Sequence, residues 1–178
     1  MSISPKPHIE AATLIPVYRD EEGAVRLVLI RRSQGGVYGG QLALPGGKRD
    51  PHDHSLQQTA LRETWEEIGL APENVDILAA LPAASTFTTG FLIYPFLGRI
   101  HVPPSWQPNK REIAEVITVS LDDLARPEAH GEEIKEFPTW PAPRLVPFYR
   151  VGAYKLWGVT YRILHPLLQR LWAGEWKV

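Results

Sequence analysis

Apolar and β-branched residues dominate positions 8–18, a polar turn follows at Glu21-Glu22-Gly23, and a second apolar run occupies 24–32. Two such runs around a glycine-containing turn predict a β-hairpin. Next come the glycine-rich stretch 34–40 and a short apolar run at 41–44. Pro45-Gly46-Gly47 then reads as a sharp turn. Helical spacing is clearest after Ser55. Ser55 and Gln58 have the separation of a capping box, in which each side chain satisfies a free amide of the other. The helix continues through Leu56, Ala60, Leu61, Trp65 and Ile68 to Gly69, a left-handed stop. Further strands are expected over 75–80, 90–100 and 113–119. A short helix is expected after Ser120, capped by Ser120 and Asp123. Residues 127–147 are proline-rich and read as irregular, 154–159 as a strand or a loop, and 160–172 as a closing helix that Pro166 kinks or breaks.

Composition adds exclusions. With 178 residues, 44% hydrophobic and 22% charged, the chain suits one soluble globular domain spanning 1–178, without repeats or low-complexity tracts. The 19 basic and 20 acidic residues leave a net charge of -1, which argues against a nucleic-acid or membrane-surface binder. The absence of cysteine removes disulfides, thiolate zinc sites and cysteine nucleophiles, and is compatible with the cytoplasm. Residues 1–8 lack a charged-then-apolar leader pattern. The uncharged stretch 77–98 is long enough to cross a bilayer. Its prolines, glycine and hydroxyl residues instead suggest strand, polar loop, strand.

The helix after Ser55 carries the candidate chemistry. At about 100° per residue, Glu63 and Glu67 stand about 40° apart, and Glu66 about 60° from Glu63. Leu61, Thr64, Trp65 and Ile68 fall on another side. Like charges one turn apart repel, and Arg62 offsets only part of that. A divalent cation would reverse the sign of the cluster, and oxygen ligands without cysteine suit Mg²⁺ or Mn²⁺. The alternative is a solvated acidic face. Glycines at 46 and 47 favour the cation, because they let backbone groups approach an ion or phosphate unobstructed. Arg31, Arg32, Lys48 and Arg49 flank the glycine segment as possible phosphate contacts, Arg32 first among them. His52 and His54 read as exposed loop residues. The six tryptophans are assigned mainly to the core, with adenine stacking as an alternative for Trp106.

The segment Gly47-x5-Asp53-x8-Arg62-Glu63-Thr64-x-Glu66-Glu67-x-Gly69-Leu70 resembles the Nudix box. It departs from that pattern at Asp53, which replaces a structural glutamate with one extra residue after it, and at Thr64, which takes an aliphatic place. The coenzyme A pyrophosphatase branch is similar over a wider stretch. It matches at Leu44-Pro45-Gly46-Gly47-Lys48-Arg49-Asp50-Pro51-His52-Asp53, Arg32-Ser33, Gly40-Gln41, Thr89-Gly90-Phe91 with Pro95, and Trp157-Gly158-Val159-Thr160. Where that branch usually has an arginine for substrate binding, this chain has Val37.

The resemblance implies the Nudix fold, an α/β/α sandwich around a mixed sheet, in a cytoplasmic enzyme acting on a small nucleotide as a monomer or homodimer. It implies metal binding by Glu63, Glu66, Glu67 and the Gly46 carbonyl. Glu66 or Glu112 is the candidate general base, with Glu115 a rival to Glu112. Arg32, Gly40, Gln41 and Lys48 are the candidate substrate contacts. The leading reading is a pyrophosphatase that splits coenzyme A or a derivative into 3′,5′-ADP and 4′-phosphopantetheine. The others are the same chemistry on ADP-ribose, a dinucleotide or a dinucleoside polyphosphate, and a non-catalytic nucleotide-binding module.

Overall fold

The N-terminal hairpin forms, and then its two strands part. Strand β1 (Ile9–Arg19) pairs antiparallel with β2 (Val25–Arg32) through Val17, Tyr18 and Arg19. Beyond that the gap between them is filled by residues 42–48. There β3 (Leu42–Ala43) pairs with β2 at Ile30 and Arg31, and β4 (Gly46–Lys48) pairs with β1 at residues 11–13. The bend expected over Pro45-Gly46-Gly47 is therefore confined to Pro45, and both glycines continue as strand. Pairing with β1 supplies backbone partners that a free turn would lack, and the Pro45 carbonyl accepts from both Leu14 N and Thr13 Oγ1. The computed structural model describes residues 8–35, 39–86, 89–137 and 140–178, so Val37 and its expected substitution for arginine lie outside the described residues.

Helix α1 (Leu56–Ile68) begins where the Ser55 hydroxyl accepts from Gln58 N at 3.1 Å. The reciprocal arm is shifted by one residue, because Gln58 Oε1 accepts from His54 N rather than Ser55 N. Gly69 ends the helix at φ +73°, a conformation that glycine adopts without steric cost. After α1 come β5 (Val75–Ala80), β6 (Ala84–Ser85) and β7 (Phe91–Ile100). Strand β7 runs parallel to β1 along nearly its whole length and pairs with β5 and β6 on its other edge. The described part of the uncharged stretch 77–98 thus holds strands rather than a helix, and among the described residues no helix is long and apolar enough to cross a membrane. Strand β8 (Ile113–Ser120) pairs with the outer edge of β2, completing an eight-stranded mixed sheet.

The segment expected to be irregular at 127–147 is a correction. It contains β9 (His130–Lys135) and the start of β10 (Arg144–Val151), which form a second, three-stranded antiparallel sheet with β11 (Tyr154–Trp157). Strand β9 is a polar edge strand, so it lacks the apolar alternation of a buried one. Pro147 is tolerated because β11 pairs only with Phe148–Val151, beyond the proline. Before this sheet, helix α2 (Leu121–Ala125) starts at Ser120, whose hydroxyl accepts from Asp122 N, while Asp123 pairs with Arg126 instead of completing a capping box. Helix α3 (Gly158–Trp172) runs through Pro166 without a break.

Period-two alternation in β1 and β2 feeds both faces of the main sheet. Leu14, Val28 and Ile30 pack with Ile68 and Leu70 on the α1 side. Ile15, Val17, Leu27 and Leu29 pack on the opposite side with Leu164 and Leu168 of α3 and with Tyr149 and Leu156 of the small sheet. The architecture is α/β, a mixed sheet between helices, with the small sheet extending one outer layer.

The parting of β1 and β2 presses Gly46 against β1. Its φ is +147°, and a Cβ there would collide with the Ala12 carbonyl and sit 2.6 Å from Thr13 Cα. Gly46→Ala is expected to lower unfolding stability by about 1–3 kcal/mol, read as a lower urea midpoint; an unchanged midpoint would contradict this packing.

Candidate active site

Strand β4 packs against α1, and a buried carboxylate lies at that contact. Glu67 is 2% exposed and accepts a hydrogen bond from Gly46 N at 2.8 Å. Burial pushes its carboxyl up to about 8; the Gly46 amide and the positive charge of Arg32 act in the opposite direction, and Glu63 and Glu112 add to the rise. Glu63 is also raised, first by burial, against the Arg62 guanidinium. Its carboxylate lies directly over Gly47, where any Cβ would collide with it. Glu66 is the most exposed of the three. The shared helical face thus becomes a gradient of burial, deep at Glu67, intermediate at Glu63 and wet at Glu66.

Arg62 ties this face to the loop before α1. Its Nε and Nη2 donate to the two oxygens of Asp53 at 2.9 Å each, Nη1 donates to Glu63 Oε1 at 2.9 Å and Glu66 Oε2 at 3.2 Å, and Nη2 also reaches the Lys48 carbonyl. Asp53 is buried and accepts further from Thr59 Oγ1 and Asp50 N, and the Arg62 guanidinium holds its carboxyl well below the usual carboxylate range. Among the described residues no three acidic or histidine side chains converge into a ready metal cage. Arg62 spans Glu63 and Glu66, while Glu67 turns inward to Gly46. The donor set nevertheless suits a hard divalent cation: carboxylate oxygens beside a glycine cradle that leaves no room for a side chain at position 47.

Glu112 and Glu115 go to different places. Glu112 lines a cleft of about 470 Å³ with Glu66, Trp65, Gly69, Gln107 and Asn109. Its segment is fixed by Ser33 N donating to the Glu112 carbonyl at 2.7 Å and by Glu112 N donating to the Asn109 carbonyl. Glu115, by contrast, accepts from Arg31 Nε at 3.1 Å and from the Tyr154 hydroxyl at 3.2 Å, with the Arg31 guanidinium over the Tyr154 ring. Arg32 stays near enough to Glu67 to stabilise its ionised form. Its backbone N donates to the Gln41 carbonyl and its carbonyl accepts from Gly40 N, so Arg32, Gly40 and Gln41 form one unit. Lys48 lies at the exposed end of β4.

His52 and His54 are exposed, as expected, and the His52 ring pairs with Asp50. Trp106 packs against the α1-side core. Trp65 and Trp172 correct the assignment of tryptophans to the core, because they are 56% and 42% exposed; none of the six is fully buried among the described residues, and Trp65 lines the cleft. The centre of the buried arc of α1 lies between Glu67 and Ile68, which rotates Trp65 outward. That follows only once Glu67 is known to be the buried glutamate.

A family model described as the NUDIX domain matches residues 7–140. An uncharacterized Nudix hydrolase, NudL, from Pectobacterium atrosepticum is 33% identical over 167 residues, covering 89% of this chain and 80% of its own. Nudix hydrolase 22, chloroplastic, from Arabidopsis thaliana is 34% identical, covering 87% of this chain and 53% of its own. Among solved structures, the Nudix hydrolase RenU from M. smegmatis superposes with a TM-score of 0.56 at 28% identity, over 66% of this chain and 74% of that one. A MutT/nudix family protein from Enterococcus faecalis gives a TM-score of 0.63 over 97% of this chain and 65% of its own; at 16% identity that likeness bears on the fold alone.

Two outcomes follow from the buried carboxylates. The folded-state Glu67 carboxyl titrates near 8 rather than 4.5. The folded state therefore holds that proton more tightly, and the stability it contributes at low pH is lost as pH rises through this window. In chelator, the wild-type melting temperature is expected to fall more steeply from pH 5 to pH 8 than that of Glu67→Gln; equal slopes would contradict the assignment. Asp53→Asn is expected to cost about 1–3 kcal/mol in urea unfolding at pH 7, because it weakens the bidentate Arg62 pair inside a buried site. A variant as stable as wild type would show that Asp53 does not anchor the loop.

Proposed function

This chain belongs to the NUDIX domain family, and on that premise we propose that it hydrolyses the diphosphate bridge of coenzyme A or a derivative, releasing 3′,5′-ADP and 4′-phosphopantetheine with the help of Mg²⁺ or Mn²⁺. The observation that carries the reading is the gathering of Glu63, Glu66 and Glu67 on one helix packed against the Gly46-Gly47 strand, with Glu66 and Glu112 lining one cleft. Glu63, Glu66, Glu67 and the Gly46 carbonyl would hold the cation. A divalent cation bound there supplies neutralisation of the diphosphate and acidification of water.

The chain's own groups supply the rest. Glu66 and Glu112 line the cleft from the helix and the loop, and each is a candidate to take the proton of the attacking water. Glu115, engaged by Arg31 and Tyr154, is a poorer base. Arg32, Gly40, Gln41 and Lys48 form the candidate contacts to the substrate phosphates, Arg32 with the positive charge already felt at Glu67. Coenzyme A is favoured by the matches at Arg32-Ser33, Gly40-Gln41, Thr89-Gly90-Phe91 and Trp157-Gly158-Val159-Thr160. The valine at position 37 favours a second reading, the same cleavage on ADP-ribose, a dinucleotide or a dinucleoside polyphosphate.

Incubation with coenzyme A, ADP-ribose and diadenosine polyphosphates in Mg²⁺ or Mn²⁺, with products identified by mass, tests both readings. Release of 3′,5′-ADP from coenzyme A is expected. Turnover of ADP-ribose or diadenosine polyphosphates without it would move the assignment to the second reading, and no turnover of any would overturn both. Glu67→Gln is expected to lower turnover by at least ~100-fold while the protein stays folded, and Glu115→Gln by far less.

A further inference from the structure

We propose that Trp65 is the platform on which the nucleobase of the substrate stacks, with the carboxamide of Gln107 reading the base edge; the Asn109 carboxamide is held by Glu112 and by the Arg111 amide. This rests on the reading of the neighbouring carboxylates as a nucleotide diphosphate site.

Trp65 is a large apolar side chain left 56% exposed beside Glu66. Among the described residues no other ring or cation stacks on it, although ring and cation contacts are frequent elsewhere in the molecule. It lies on the wall of the same cleft of about 470 Å³ that Glu66 and Glu112 line, a size suited to a small ligand. The loop that lines the cleft with it is built rather than loose. Gln107 N donates to the Ile68 carbonyl at 3.1 Å and Asn109 N to the Glu67 carbonyl at 2.9 Å, so the loop is fastened to the C-terminal end of α1. Gly69 allows that approach, since a Cβ there would lie 2.8 Å from Gln107 Cβ.

The groups that line the cleft are those that a nucleotide calls for. The Glu66 and Glu112 carboxylates, an uncovered indole and the Gln107 carboxamide line one cleft. Every base offers a π-face for stacking, and a carboxamide matches the donor and acceptor pair of adenine N6 and N7. The adenine end of an adenine nucleotide is therefore the ligand that this cleft takes.

The test measures AMP and ribose 5-phosphate binding by calorimetry in Mn²⁺ for wild type, Trp65→Ala and Trp65→Phe. Trp65→Ala is expected to weaken AMP at least about fivefold, with Trp65→Phe recovering most of the loss and ribose 5-phosphate unchanged. In turnover, KM for an adenine-containing diphosphate is expected to rise more than kcat falls. AMP affinity within twofold of wild type in Trp65→Ala, an equal loss for ribose 5-phosphate, or no AMP binding by wild type would each overturn the proposal. If AMP binds through Trp65 while none of the diphosphates is cleaved, the base subsite stands and the hydrolase reading falls.

Discussion

A carboxylate taken out of water and held on a single backbone amide is the constraint around which this molecule is arranged. Burying an ionised carboxylate costs several kcal/mol, and one N–H from Gly46 offsets only part of that. The raised Glu67 titration expresses the remainder. Such a group is suited to a strong positive charge arriving from outside. The surrounding sequence keeps the space open for one: glycine at 46 because β1 lies against it, and glycine at 47 because the Glu63 carboxylate does.

The parted hairpin makes this possible. If β1 and β2 stayed paired along their full length, β3 and β4 would have no place in the sheet, and Gly46 would not face α1. Alternating side chains on both strands hold the opening rigid from two faces. Arg62 then links three tasks through one guanidinium: it neutralises buried Asp53, restrains the loop through the Lys48 carbonyl, and balances Glu63 and Glu66. Asp53, one residue out of place against the family pattern, still meets Arg62 with both oxygens, because the turn at Asp50 donates an amide to it.

Much of this was legible in the residues. Ser55, Gly69 and the spacing of Glu63, Glu66 and Glu67 define α1 and its acidic side by local rules, and local rules hold where caps and periodicity agree. What escaped depends on tertiary contacts. Which glutamate is buried is decided by the strand above the helix, so neither the inward turn of Glu67 nor the exposure of Trp65 follows from a helical wheel. Glu112 and Glu115 lie three residues apart around the start of β8, and contacts from Arg31 and Tyr154, both far from them along the chain, separate them. Strands β9 and β10 lacked a periodic signal because one is a polar edge and the other contains a proline. The family resemblance supplied a role for the acidic cluster that composition alone left balanced against a solvated surface.

The central claim is that the carboxylates of α1 and the β4 glycine backbone together form a divalent-cation site. Anomalous diffraction from crystals grown with manganese tests it most directly. Manganese peaks within coordination distance of Glu63, Glu66 or Glu67 oxygens, with the Gly46 carbonyl in the ligand shell, are the expected result. Well-ordered crystals with the metal bound only elsewhere, or with these side chains keeping the Arg62 contacts and no peak among them, would contradict it.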